Sequence, residues 1–344
     1  MKIDLIEVNQ PIGTFYMACL PARFIADSCD IVRRDATGKG VQRVLVQKRV
    51  NEIAAYTEDP DATFPTSIII AVYSQPEASL RDGAYHCSGK AKFGEIIDGQ
   101  HRIEGLKRSN RIDDFQMPVI LMFDLVEEEK AYVFSIINSK QRPVQKSLIY
   151  DLFNLTEKRS PQKTCHEIAR LTNSDEQSPY FKRLKMLGKK EDENASLSQG
   201  SFVKYLLPLV SKKPDQDLID IKLGKPLEDD PALTFRYYFI KNEDQSIYKI
   251  LLNLFKAVAS TFELEWKNPD RFILSKTTGY GALMRALPVL IAKGSNEHNL
   301  SEKFFNTRMD EFKQRLHASK LALTSSDFPS NEHQQARLAE FIIG

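Results

Sequence analysis

The sequence predicts an α+β protein, with a small α/β module in residues 1–155 and a mostly α-helical part in residues 156–344. Three observations predict it. Short β-branched runs bounded by turn residues are confined to the first part. Long helical periodicities dominate the second. Between strand and helix in the first part lies the run Ile96-Ile97-Asp98-Gly99-Gln100-His101-Arg102, where two β-branched residues feed an Asp-Gly turn and a helical pattern follows at Ile103 and Leu106.

Taken in order, residues 14–22 have strand character and Gly38-Lys39-Gly40 reads as a turn. Residues 42–56 carry apolar side chains at helical spacing (Val44, Leu45, Val50, Ile53, Ala54 and Ala55). Phe64-Pro65 introduces a buried strand over 67–73, and Asp82-Gly83 turns the chain before a strand near Tyr85-His86. A helix is predicted over 101–110, and a buried strand over 117–124 bounded by Pro118 at its start. A helix over 131–137 leads to Pro143, which stops or restarts it before a further helix over 147–155. In the second part helices are predicted over 160–171, 202–210, 246–262, 280–293 and 301–317. Residues 172–178, 189–198 and the proline-bearing stretch 212–230 read as loops.

Composition excludes several function classes. The chain has 344 residues, 42% hydrophobic and 27% charged, which is ordinary for a globular protein. Its net charge of +2 creates no global field for nucleic acid, so any DNA contact would have to come from a local patch. The cluster Lys182-Arg183 with Lys185, Lys189 and Lys190 could form one, but Glu191, Asp192 and Glu193 follow directly and favour a solvated loop. Cys19, Cys29, Cys87 and Cys165 form no CxxC pair and read as buried or incidental thiols in a reducing compartment. No signal peptide and no apolar run of membrane-spanning length are evident, so a cytoplasmic location without membrane partners is expected. Neither a P-loop nor a nucleophile elbow is present.

The 96–102 run carries the chemistry. A strand that turns sharply into a helix leaves backbone N–H groups at the helix start, and these attract anions. Gly99 allows close approach, while His101 and Arg102 add donors at the same mouth. Each residue also has a structural reading. Asp98 could cap the helix, and Arg102 could pair with Asp98 or Glu104.

At Asp98–Arg102 the sequence resembles the DGQHR-domain family, related to the ParB and sulfiredoxin fold. The resemblance extends to Gln42-Arg43 with Arg49 and Ile53, to Phe64-Pro65 with Ser67-Ile68-Ile69-Ile70, and to Ile137-Asn138-Ser139-Lys140-Gln141-Arg142 followed by Lys146-Ser147-Leu148 and Asp151-Leu152. More loosely, Ser178-Pro179-Tyr180 with Arg183 to Gly188, and Thr277-Thr278-Gly279-Tyr280, resemble the longer DndB-like members found with bacterial DNA-modification systems. Two departures matter. Gln100 stands where sulfiredoxin-like proteins carry a catalytic cysteine, so sulfinic-acid repair is not expected. One more residue than in ParB separates Asn138 from Gln141-Arg142, so ParB's preference for cytidine is not carried over.

The resemblance implies triphosphate handling at the turn. It implies an ATP-binding and ATP-hydrolysing accessory protein of a DNA-modification pathway, either backbone phosphorothioation or 7-deazaguanine insertion, with a place in phage defence. ATP contact is expected from Arg43, Gly99, Gln100, His101, Arg102, Asn138, Gln141 and Arg142, and catalysis from Asp98, Gln100 and His101. Mg2+ would sit near Asp98 and Asn138, with Glu104 a further candidate for placing metal or water. Lys140 and Lys146 read as solvated. The expected partners are nucleotide, the modification enzymes of the same pathway and, through a local patch, DNA. The rival readings are a DNA-binding transcriptional regulator of such a gene cluster, a ParB-like nuclease, and a scaffold that holds nucleotide without turning it over.

Overall fold

The computed structural model describes residues 1–32, 45–88, 91–140, 159–186, 193 and 195–344, the side chains of 138–140 excepted. The chain forms two units, Met1–Pro143 and Val144–Gly344. The boundary expected near 155 falls outside the described residues, as do Gly38-Lys39-Gly40, Gln42-Arg43, Val44 and the helix expected over 147–155.

The first unit is built on a six-stranded mixed sheet. Its strands are β2 (Ile6–Gln10), β3 (Gly13–Pro21), β4 (Cys29–Asp30), β5 (Ile68–Val72), β8 (Gly94–Asp98) and β9 (Gln116–Phe123), in the spatial order β2-β3-β9-β5-β8-β4. β5 runs parallel to β9 and antiparallel to β8, and β4 runs parallel to β8. A smaller antiparallel sheet joins β1 (Lys2–Asp4), β7 (Ala84–His86) and β6 (Ser79–Arg81).

Strand alternation sorts the apolar side chains onto two faces. Ile68, Ile70, Val72, Ile96, Val119 and Leu121 pack with Ile25 of α1 (Ala22–Ser28) and with Ile103 and Leu106 of α3 (Gln100–Arg108). Ala71, Ile97 and Met122 face the other way, against Val133 of α4 (Glu127–Lys140). Lys130 of α4 reaches into that face and donates to the buried Glu95 carboxylate at 3.0 Å, which ties α4 to β8.

Helix α2 (Gln47–Tyr56) lies beside α3. A Cβ on Gly105 would come within 2.4 Å of Ile53 Cγ2 and 3.2 Å of the Val50 carbonyl, so glycine is what lets these two helices approach.

The second unit is helical, apart from the two-residue strands β10 (Leu184–Lys185) and β11 (Leu197–Ser198). Its helices are α5 (Pro161–Ser174), α6 (Gln199–Val210), α7 (Pro214–Lys222), α8 (Arg236–Ile240), α9 (Asp244–Thr261), α10 (Glu263–Lys267), α11 (Thr277–Asn296), α12 (Glu302–Ala318) and α13 (Glu332–Ile343). They surround one core containing Phe202, Phe255, Leu254, Leu283, Phe305 and Phe312.

The fold corrects the sequence reading in four places. Residues 212–230 are not all loop, because Pro214 opens α7 at a position where its missing N–H has no partner to lose. Residues 172–178 are not all loop either, since α5 continues to Ser174. Pro118 lies inside β9, opposite Cys19 of β3, rather than at the strand's edge. Strands β1 and β2 and helices α1, α8 and α13 carried no signal strong enough to be read. α13 has one in retrospect, for Asn331 caps it by accepting from the Gln334 N–H at 2.9 Å. Among the described residues no helix is long and apolar enough to cross a membrane.

Candidate functional site: two helix starts at one corner

Strand β8 ends at Asp98 and α3 begins at Gln100, with only Gly99 between them. Gly99 adopts φ 105°, ψ 9°, the left-handed region. A Cβ there would also lie 2.3 Å from Ile68 Cδ1. Backbone conformation and packing both demand glycine at this position.

Asp98 does not cap α3, whose N-cap residue is Gly99. Its Oδ2 instead accepts from Arg102 Nη2 at 2.9 Å, the structural pair weighed above. Arg102 has further partners just before β5. Nη1 donates to the Thr66 carbonyl and to Thr66 Oγ1 at 2.6 Å, and Nη2 donates to the Ser67 carbonyl at 3.1 Å. The Arg102 side chain is only 17% exposed, so the guanidinium works largely inside the protein. Burial pushes its pKa down while Asp98 pulls it up, and a guanidinium stays charged throughout. Glu104 pairs with Lys107 on the same helix at 3.5 Å. Gln100 is buried at the first helical position.

His101 links the two helices. Its Nε2 accepts the backbone N–H of Val46, the residue just before α2, at 3.1 Å. A ring nitrogen that accepts carries no proton, so the bond selects the neutral tautomer with its proton on Nδ1. The electrostatics agree. Burial foremost, then the charge of Arg49, holds His101 below its ordinary value of 6.5, with Asp98 opposing.

The bond also places the helix starts side by side. Val46 meets His101, and one turn further on Val50 and Ile53 meet Gly105, so α2 and α3 run parallel. Arg108 reinforces the pairing by donating to Asn51 Oδ1 at 2.9 Å and to Gln47 Oε1 at 3.1 Å. Neither N-cap residue, Val46 or Gly99, caps its helix through a side chain, and neither helix has an acidic residue in its first turn. Each contributes roughly half a positive charge from its aligned peptides. Arg49, exposed in the first turn of α2, adds a full one. The negative charge of Asp98 is answered by Arg102.

The structure therefore brings Asp98, Gly99, Gln100, His101 and Arg102 together and adds Arg49, which the sequence does not place among the phosphate contacts. Asn138 lies on α4, but its side chain, and all of Arg43, Gln141 and Arg142, fall outside the described residues. Among the described residues, no group of three or more His, Cys, Asp or Glu side chains gathers to hold a metal.

The C-terminal motifs behave differently. Tyr180 is fully buried, edge-on to Phe255 at 5.0 Å and to Trp266 at 4.8 Å. Trp266 Nε1 donates to the Pro179 carbonyl at 3.2 Å, and Arg183 Nη2 to the Trp266 carbonyl at 3.0 Å. Tyr280 stacks on Phe202 at 4.8 Å and donates to its carbonyl at 3.1 Å. These residues hold the helical core together. Of the cysteines, Cys29, Cys87 and Cys165 are buried and Cys19 is exposed, with burial pushing the Cys29 thiol up to about 12.

Comparison with known proteins decides the family. The family model for DndB, described as DNA-sulfur modification-associated, matches residues 4–200. The chain belongs to the DndB family. The match runs from residue 4 through the rest of the α/β unit and past the Ser178-Pro179-Tyr180 segment, while Thr277-Thr278-Gly279-Tyr280 lies beyond it. It assigns the protein to DNA sulfur modification, one of the two pathways that the resemblance implied. No curated protein matches. Among solved structures, a match is the C-terminally truncated chromosome-partitioning protein ParB from Caulobacter crescentus, complexed with CTP-gamma-S. It has 12% sequence identity and a TM-score of 0.30, and the match covers 68% of this chain and 97% of that one. At that level of likeness nothing is transferred from it.

Proposed function

We propose that this DndB-family protein binds a nucleoside triphosphate, ATP in the first instance, with its phosphates at the corner where α2 and α3 begin, and hydrolyses it in the service of the sulfur-modification enzymes. The observation that carries the reading is the pair of parallel helix starts joined by the Val46–His101 bond, with no acidic residue in either first turn. A triphosphate needs several N–H and cationic donors within one small volume. Two positive helix ends, Arg49 and the Nδ1–H of His101 supply them, and the pairing of Asp98 with Arg102 removes the nearest repulsive charge.

The donor set fits Mg2+ carried mainly by the phosphates, since that ion keeps several waters and needs one or two protein oxygens. Asp98 is the described carboxylate at the corner, and the ion would supply neutralisation of phosphate charge. Turnover rests on His101. A neutral imidazole with its proton on Nδ1 can donate to a phosphoryl oxygen or orient a water, and its partner Val46 fixes the ring.

The test is a calorimetric titration of the full chain with ATP, GTP and CTP in the presence of Mg2+, alongside phosphate release. Binding in the micromolar range, with phosphate released faster than from nucleotide alone, is the expected result. Binding without release would leave a nucleotide-holding scaffold, and absence of binding to all three would end the proposal.

A further inference from the structure

Two arginines flank the corner, and the geometry gives them different work. Arg102 belongs to the motif that marks the turn, yet its guanidinium is already engaged. Nη1 and Nη2 donate to Thr66, Ser67 and Asp98, and the side chain is mostly buried. A phosphate could recruit these two nitrogens only by displacing bonds that hold the residues before β5 against the turn. It would also strip Asp98 of its counter-charge and leave a carboxylate beside the incoming anion.

Arg49 is placed the opposite way. It stands in the first turn of α2, exposed, with no acid in that turn to compete for it. Its backbone N–H donates at 2.9 Å to the carbonyl of Val46, the residue whose own N–H is bonded to His101 Nε2. The Val46–His101 bond fixes the start of the helix that carries it.

Resting on the polyphosphate reading of the preceding subsection, we infer that Arg49 is the arginine that grips the phosphates, and that Arg102 is an internal brace which holds the Asp98–Gly99 turn in shape. The chemistry recognised is the polyphosphate chain itself, a planar cation meeting phosphoryl oxygens. The base and sugar are not required for this contact, so inorganic tripolyphosphate should report it as well as ATP does.

The experiment compares the wild-type chain with Arg49→Ala, Arg49→Lys and Arg102→Lys, measuring affinity for Mg·ATP and for tripolyphosphate by calorimetry and the thermal midpoint of each protein. Arg49→Ala should weaken both ligands about tenfold or more at an unchanged midpoint, a loss of about 1.4 kcal/mol for each tenfold. Arg49→Lys should recover part of it, because a point charge replaces a fork. Arg102→Lys should lower the midpoint, since an ammonium cannot span Thr66, Ser67 and Asp98 together. Two results overturn the inference: Arg49→Ala binding within twofold of wild type, or Arg102→Lys losing tenfold in affinity at an unchanged midpoint. If the wild-type chain binds neither ATP nor tripolyphosphate, it is the polyphosphate reading itself that fails, and the assignment to Arg49 goes with it.

Discussion

At the start of α3, the polar side chains of the motif are arranged around a corner that remains positive. Around Tyr180, in the helical unit, comparable motif residues are turned inward and packed ring against ring. The first region pairs Asp98 with Arg102, lets His101 accept a backbone N–H, and sets two helix starts with no acid in their first turns side by side. The second joins Pro179, Tyr180, Arg183 and Trp266 into a closed set of ring contacts and hydrogen bonds. The motif residues of the first region and Pro179, Tyr180 and Arg183 of the second lie within the span matched by the family model, while Trp266 lies beyond it. The difference teaches that a motif can persist in a family description for two unlike reasons. One builds a positive corner around a turn, and the other builds a core of interlocked rings.

The sharpest way to break this comparison is to substitute on the core side. Tyr180→Ala removes a fully buried ring that touches Phe255 and Trp266. It should destabilise the helical unit by about 3–5 kcal/mol, the usual cost of deleting a buried aromatic. Urea denaturation followed by Trp266 fluorescence, from the single tryptophan of the chain, checks it. A variant as stable as wild type, but with impaired ligand binding, would move Tyr180 from core to site.

A smaller effect sharpens the corner side. His101 has a folded-state pKa held below 6.5, so the folded protein takes up its proton less readily than the unfolded chain. Its contribution is therefore intact above about pH 6.5 and declines as pH falls below it, where protonation also removes the acceptor for Val46 N–H. The thermal midpoint should fall between pH 7 and pH 5 more steeply in wild type than in His101→Gln. Equal slopes would show that the Val46–His101 bond does not depend on a neutral ring.

Much of the first unit was legible in the sequence, because buried strands announce themselves. The runs Ile68–Val72 of β5, Ile96-Ile97 of β8 and residues 117–123 of β9 are β-branched or apolar, as the middles of strands covered on both faces are. The Asp98–Gly99 turn was legible for the same kind of reason, since a glycine after β-branched residues and before a helical period has few other uses. What could not be read was the partner of each polar group. That Arg102 would reach Thr66 and Ser67, and that His101 would accept from Val46, depends on the antiparallel placement of β5 beside β8 and on the packing of α2 along α3. Arg49 carries no site signal of its own in the sequence, because a charged residue on a helix is usually just exposed. Only the parallel pairing of the two helices shows what it stands next to. β1 and β2 escaped notice because short exposed strands alternate polar and apolar residues weakly. α7 was hidden by Pro214, which reads as a breaker although it can also begin a helix.

The central claim is that two neighbouring helix starts form one seat for phosphate. The most direct measurement is a crystal structure of the full chain grown with Mg2+ and a non-hydrolysable ATP analogue. The account predicts phosphoryl oxygens about 3 Å from first-turn amides of both α2 and α3, with Arg49 on the phosphates and Arg102 still bonded to Asp98. A nucleotide bound elsewhere, or one seated here with only its base at the corner, would contradict it.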